Sequence, residues 1–120
     1  HCEIRAIASR NLEKGQKLAA QFGIPKAYGS YEELLADPEI EAIYNPLPNH
    51  EHVPMTLAAA RAGKHVLCEK PVDLSLARAR ACQAAAAKHG RPVMIGFNRR
   101  FDPNFASLKA QFDEFKQQFE

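Results

Sequence analysis

The sequence has no tryptophan, little net charge, no long hydrophobic run and no closely spaced pair of cysteines. Each absence narrows the function. A formal net charge of +2, with no run of like charges, gives neither nucleic acid nor an anionic membrane surface a footing as main partner. No segment approaches the roughly 18 consecutive apolar residues of a membrane span. Cys2, Cys68 and Cys82 are odd in number and far apart, so neither a zinc site nor a disulfide framework is indicated. Reduced thiols suit a cytoplasmic protein. The opening HCEIRAIASRN has no basic stretch leading into an apolar run, as a secretory signal would. It also lacks Met and enters a strand-like run directly, which points to a chain that starts inside a domain.

What is present is the composition of one soluble domain: 120 residues, 46% apolar and 25% charged. Residues 2–8 read as a short strand. A helix capped by Asn11 or Ser9 follows, with Leu12, Leu18, Ala19 and Phe22 on one face and Gly23 as its left-handed end. Tyr28 falls in a short extended link. Ser30 to Glu33 form a capping box that opens a brief helix, and Asp37-Pro38 stops it. Residues 42–45 are the next strand, and Pro46, Pro48 and Asn49 stiffen the loop after it. A helix over 51–62 ends at Gly63. Residues 65–69 have few polar positions and read as a strand buried on both faces. An alanine-rich helix over 75–89 ends at Gly90, and residues 92–97 make another strand. A last helix over 103–119 carries Phe105, Leu108, Phe112, Phe115 and Phe119 as a stripe, expected to be core or interface.

Strands alternating with helices predict an α/β fold, a doubly wound parallel sheet of Rossmann type. Ligands of such sheets bind beyond the carboxyl ends of the strands. Residues 9–12, 45–52 and 69–71 fall there.

The run GKHVLCEKP at 63–71 resembles the signature of the Gfo/Idh/MocA oxidoreductases. YEELL at 31–35, PLPNHEH at 46–52 and GFNRRFDP at 96–103 lie in that family's order and spacing. The resemblance covers about residues 2–108. It implies an NAD(P)-dependent enzyme that moves a hydride between the nicotinamide cofactor and a hydroxyl carbon of a sugar, inositol or related diol. It also implies a homo-oligomeric parent protein. GFNRRFDP is closest to inositol dehydrogenases, whereas ASRN at 8–11 and PLPNH at 46–50 look like the NADP-using dihydrodiol and xylose dehydrogenase branch.

Alcohol dehydrogenation needs a proton acceptor on the hydroxyl. The resemblance gives that role to Lys70, which by chemistry alone is a solvated lysine at a strand end. A free lysine titrates near about 10.4, so a base role needs burial or nearby positive charge. Glu69 is expected either to contact the ribose or to position Lys70, or else to be a plain neighbouring charge. Pro71 restricts Lys70 to extended geometry and admits a cis bond. Ser9 and Arg10 stand where NAD enzymes place an acid for the ribose hydroxyls. With no acid there, they suit the 2′-phosphate of NADP, while the bland alternative is a surface arginine. Asn45, Leu47 and His52 lie in the loop that the resemblance places along the ribose and nicotinamide. His50 and His52 face apart on a helix and lack a third ligand nearby, so no metal is expected. The resemblance makes Arg100 the family's recurring arginine and puts Asn98 near the active-site mouth, the alternative being a solvated basic patch.

Two parts of the family pattern are expected outside these residues: the GxGxxG phosphate loop with its strand, and a C-terminal substrate domain. In the order 3-2-1-4-5-6 the first strand lies between the second and the fourth, so its absence would leave a slot with unpaired backbone groups. The 120 residues alone are therefore expected to be a partial Rossmann domain, weakly folded or self-pairing, and inactive. Two other readings remain: a non-catalytic nucleotide-binding regulator, and an interaction module that uses the phenylalanine stripe.

Overall fold

The computed structural model of the chain describes residues 2–118. Its order is β1 (Ala6–Ala8), α1 (Leu12–Phe22), β2 (Lys26–Tyr28), α2 (Tyr31–Ala36), β3 (Ala42–Asn45), α3 (Asn49–Arg61), β4 (His65–Cys68), α4 (Leu76–Lys88), β5 (Val93–Ile95), a 3-10 turn at Asn98–Phe101, and α5 (Pro103–Gln117). The strand pairs are parallel, as the strand–helix alternation predicts. β1 pairs with β2, with Ala6 opposite Lys26. In the second ladder β4 lies between β3 and β5, with Tyr44 opposite Leu67 and Leu67 opposite Met94. The two ladders share no strand pairing among the described residues. β1 and β3 correspond to the second and fourth strands of a doubly wound order, so the arrangement is Rossmann-like.

Local chemistry sets the helix ends. Asn11 Oδ1 accepts from the Lys14 N–H at 3.0 Å and caps α1. Ser30 Oγ accepts from the Glu33 N–H at 3.2 Å, while Glu33 Oε2 accepts from the Gly29 N–H at 3.2 Å, one residue beyond a strict capping box. Asp102 Oδ1 starts α5 by accepting from the N–H groups of Asn104 and Phe105. Gly23 ends α1 at φ 65°, a left-handed conformation that costs glycine little.

The core is small. Ile40, Ile43, Ala59, Val66 and Cys68 form its buried cluster, and Ala6, Leu34 and Leu35 pack onto it, so side-chain packing joins the two ladders. Several expectations are corrected. Residues 26–28 are a strand, not a link: three residues between Pro25 and Gly29 show no countable alternation, and pairing with β1 makes them extended. The strands expected over 2–8 and 92–97 are shorter, and α3 begins at Asn49. β4 is not buried on both faces; His65 and Leu67 are exposed and Val66 and Cys68 buried, the alternation of a sheet covered on one side. Of the apolar face expected on α1 only Ala19 is buried, while Phe22 at the helix end is 67% exposed. Phe105, Leu108 and Phe112 are exposed on α5, so this stripe is not core here. Phe119 lies outside the described residues.

Candidate active site

Loops leave the carboxyl ends of the five strands, and hydrogen bonds tie those after β3, β4 and β5 together. The ladder continues past the strands through Glu69 N–H to the Asn45 carbonyl (3.0 Å) and Gly96 N–H to the Cys68 carbonyl (2.8 Å). Asn45 is buried; its Nδ2 donates to the His52 carbonyl at 3.2 Å and its Oδ1 accepts from the Leu47 N–H at 3.3 Å. His52 is only 2% exposed. Its Nδ1 lies 2.6 Å from the Pro71 carbonyl oxygen and its Nε2 2.6 Å from that of Leu47. The imidazole therefore bridges the loop after β3 to the turn after β4. Asn45, Leu47, His52 and Pro71 form one polar unit in which the Asn45 and His52 side chains are engaged by the protein itself.

That unit holds the base of Lys70. The Lys70–Pro71 peptide is cis. Lys70 is exposed, and no ion pair holds its Nζ among the described residues. It lines a surface cleft with Phe97, Asn98, Arg99 and Arg100. The 3-10 turn presents those residues: the Arg100 N–H donates to the Phe97 carbonyl at 3.1 Å, and the Arg99 guanidinium lies 5.1 Å from the Phe105 ring centre. The structure thus brings Lys70, Asn98 and Arg100 to one cleft with two arginines as the surrounding charge.

Glu69 is held beside this cleft rather than in an ion pair. Its Oε1 accepts from the Tyr44 hydroxyl at 3.1 Å and its Oε2 from the Lys70 backbone N–H at 3.3 Å. The bond to Glu69, with a smaller contribution from burial, pushes the Tyr44 phenol up. Sequence reasoning missed Tyr44. The one available signal was the period-two alternation of β3, which turns Ile43 and Asn45 inward and Tyr44 outward, onto the face where Glu69 emerges.

Ser9 and Arg10 sit apart from the Lys70 cleft, where β1 enters α1. Ser9 Oγ accepts from the Asn11 N–H at 3.2 Å, which leaves its own hydrogen free to donate. Arg10 is exposed and has no ion pair among the described residues. The acid nearest in sequence, Glu13, pairs with Lys17 at 2.9 Å. Away from both places, His50 is exposed, with Nε2 3.6 Å from Glu51.

Comparison with known proteins decides what this arrangement belongs to. A profile described as the oxidoreductase family with NAD-binding Rossmann fold, Gfo/Idh/MocA, matches residues 1–97. The chain belongs to the Gfo/Idh/MocA family. It is 61% identical over 74 residues to an uncharacterized oxidoreductase of Rhizobium meliloti, covering 62% of this chain and 22% of that protein. It is 46% identical over 101 residues to D-xylose 1-dehydrogenase (NADP(+)) 2 of Haloferax volcanii, covering 84% and 31%. Among solved structures, a probable dehydrogenase from Thermotoga maritima superimposes with a TM-score of 0.86 at 32% identity, covering 95% of this chain and 34% of that one. The chain thus spans no more than about a third of the length of these Gfo/Idh/MocA proteins.

Proposed function

We propose that the protein carrying this chain is an oxidoreductase that moves a hydride between NADP or NAD and a hydroxyl carbon of a sugar, inositol or related diol. The observation that carries the reading is Lys70: an exposed ammonium in the turn after β4, without an ion pair among the described residues, lining a cleft with Asn98, Arg99 and Arg100. The bound nicotinamide cofactor supplies the hydride chemistry. Lys70 binds the reacting hydroxyl and takes or returns its proton at Nζ. Asn45 and His52 fix the turn that carries Lys70. The family relation and the xylose-dehydrogenating relative support the substrate class.

Ser9 and Arg10 fit the ribose phosphate of NADP, with a free hydroxyl donor and a free guanidinium where no unpaired acid competes. NADP is therefore the favoured cofactor. We place the enzyme in the reducing cytoplasm, in line with three free cysteines, two of them buried. The test is binding of NADPH and NADH to the full-length protein, read by reduced-nicotinamide fluorescence, together with turnover of Lys70→Met. Tighter NADPH binding, reduced by Arg10→Ala, and a Lys70→Met enzyme that keeps nucleotide but loses turnover are expected. A folded protein that binds neither nucleotide overturns the reading.

A further inference from the structure

We propose that Tyr44 is a positioning residue that holds the Glu69 carboxylate away from the Lys70 ammonium, so that Lys70 stays free for the substrate hydroxyl. This rests on the oxidoreductase reading of the same cleft. Glu69 and Lys70 are sequence neighbours at a strand end, where a flexible carboxylate beside an exposed ammonium ordinarily forms a pair. Here they form none. Both carboxylate oxygens are committed elsewhere, Oε1 to the Tyr44 hydroxyl and Oε2 to the Lys70 backbone N–H.

Three strands build this arrangement. Tyr44 on β3 stands opposite Leu67 on β4, so Glu69, two residues further along, is its diagonal neighbour on the same face. From beyond β5, Gly96 provides the space. A Cβ there would lie 3.2 Å from Glu69 Oε2 and 3.3 Å from its Cδ and Oε1, tight enough that the carboxylate would have to give by a few tenths of an ångström. The carboxylate is thus anchored by a phenol on one side and admitted by a missing side chain on the other. The bond also pushes the phenol up, which favours its protonated, donating form.

The consequence falls on Lys70. The groups around it are Glu69 on its own strand end, Tyr44 from β3, Arg99 and Arg100 from the turn after β5, and His52 of α3 through the Pro71 carbonyl. Glu69 is the one acid of this set. Released, it would pair with the ammonium, stabilise its charged form and draw it from the substrate. Tyr44 touches neither reacting atom; it acts through Glu69.

The test uses the full-length protein with Tyr44→Phe, Glu69→Gln and the double variant. Two readouts are taken: the rate at which an amine-acylating reagent labels Lys70 at fixed pH, resolved by peptide mass spectrometry, and the pH profile of alcohol oxidation. Tyr44 is 57% exposed, so loss of its hydroxyl leaves packing intact. Tyr44→Phe is expected to slow labelling and oxidation about tenfold near neutral pH and to move the rate profile up by about one pH unit, with the cofactor KM unchanged. In the Glu69→Gln background the same change is expected to do nothing. Unchanged labelling in Tyr44→Phe, or equal slowing in both backgrounds, overturns the proposal. The predicted labelling pattern in a protein that turns over no alcohol would sink the oxidoreductase reading alone.

Discussion

The Tyr28 hydroxyl donates to Asp37 Oδ2 across 2.7 Å, joining β2 to the turn before β3. Lys26 Nζ donates to the same oxygen at 2.9 Å, the Glu39 N–H donates to Oδ1 at 2.9 Å, and Lys64 Nζ donates to the Asp37 backbone carbonyl at 2.7 Å. One nearly buried residue therefore gathers β2, the turn before β3 and the start of β4. None of these side chains lines the Lys70 cleft, so this network serves the fold and not the chemistry.

The Tyr28 bond first, then Lys26 and the Glu39 amide, hold the Asp37 carboxyl well below its ordinary 3.8. In the unfolded chain Asp37 returns to that ordinary value and takes up its proton at higher pH. Its stabilising contribution is thus fully present above about pH 4 and is lost as pH falls through the acid range. Asp37→Asn is expected to lower stability at neutral pH and to flatten the acid limb. Urea midpoints of the full-length protein and the variant, measured from neutral pH down to pH 3, check both. Parallel curves of equal acid slope would contradict the assignment.

The local signals and the site's segments were legible in the sequence, and the long-range ones were not. Asn11, Ser30 and the left-handed Gly23 act within a few residues of chain, so their chemistry fixes a helix end wherever the fold puts it. Lys70, Asn98 and Arg100 were readable because motif order places them at strand ends, and the strand order brings those ends together. The bond between Tyr44 and Glu69 was not readable, because it needs the register of β3 on β4. The face pattern of β4 failed for a similar reason: an apolar run such as His65 to Cys68 does not show which of its sides a helix covers.

Asn45 is expected to be the most fold-sensitive of the site residues. Its side chain is 1% exposed and satisfies the His52 carbonyl and the Leu47 N–H at once. Asn45→Ala strands both backbone groups in a buried place, a loss of about 1–3 kcal/mol for each group left unpaired. Because His52 links this loop to the Pro71 carbonyl, the variant should also weaken nucleotide binding and disturb Lys70. Thermal unfolding and NADPH titration of the full-length variant test this. An unchanged melting point would mean that water replaces the amide and that the loop does not depend on it.

The three cysteines should separate cleanly by reactivity. Cys68 on β4 and Cys82 on α4 are 1% and 4% exposed. Burial pushes both thiols up. The thiolate is the nucleophile, so both lack the reactive form and access to a reagent. Cys2 is exposed. Brief iodoacetamide treatment of the folded protein at neutral pH, read peptide by peptide, should label Cys2 and leave the other two, whereas the same treatment in urea should label all three. Labelling of Cys82 in the folded state would show that α4 lifts from α3, the helix it packs against, on the timescale of the reaction.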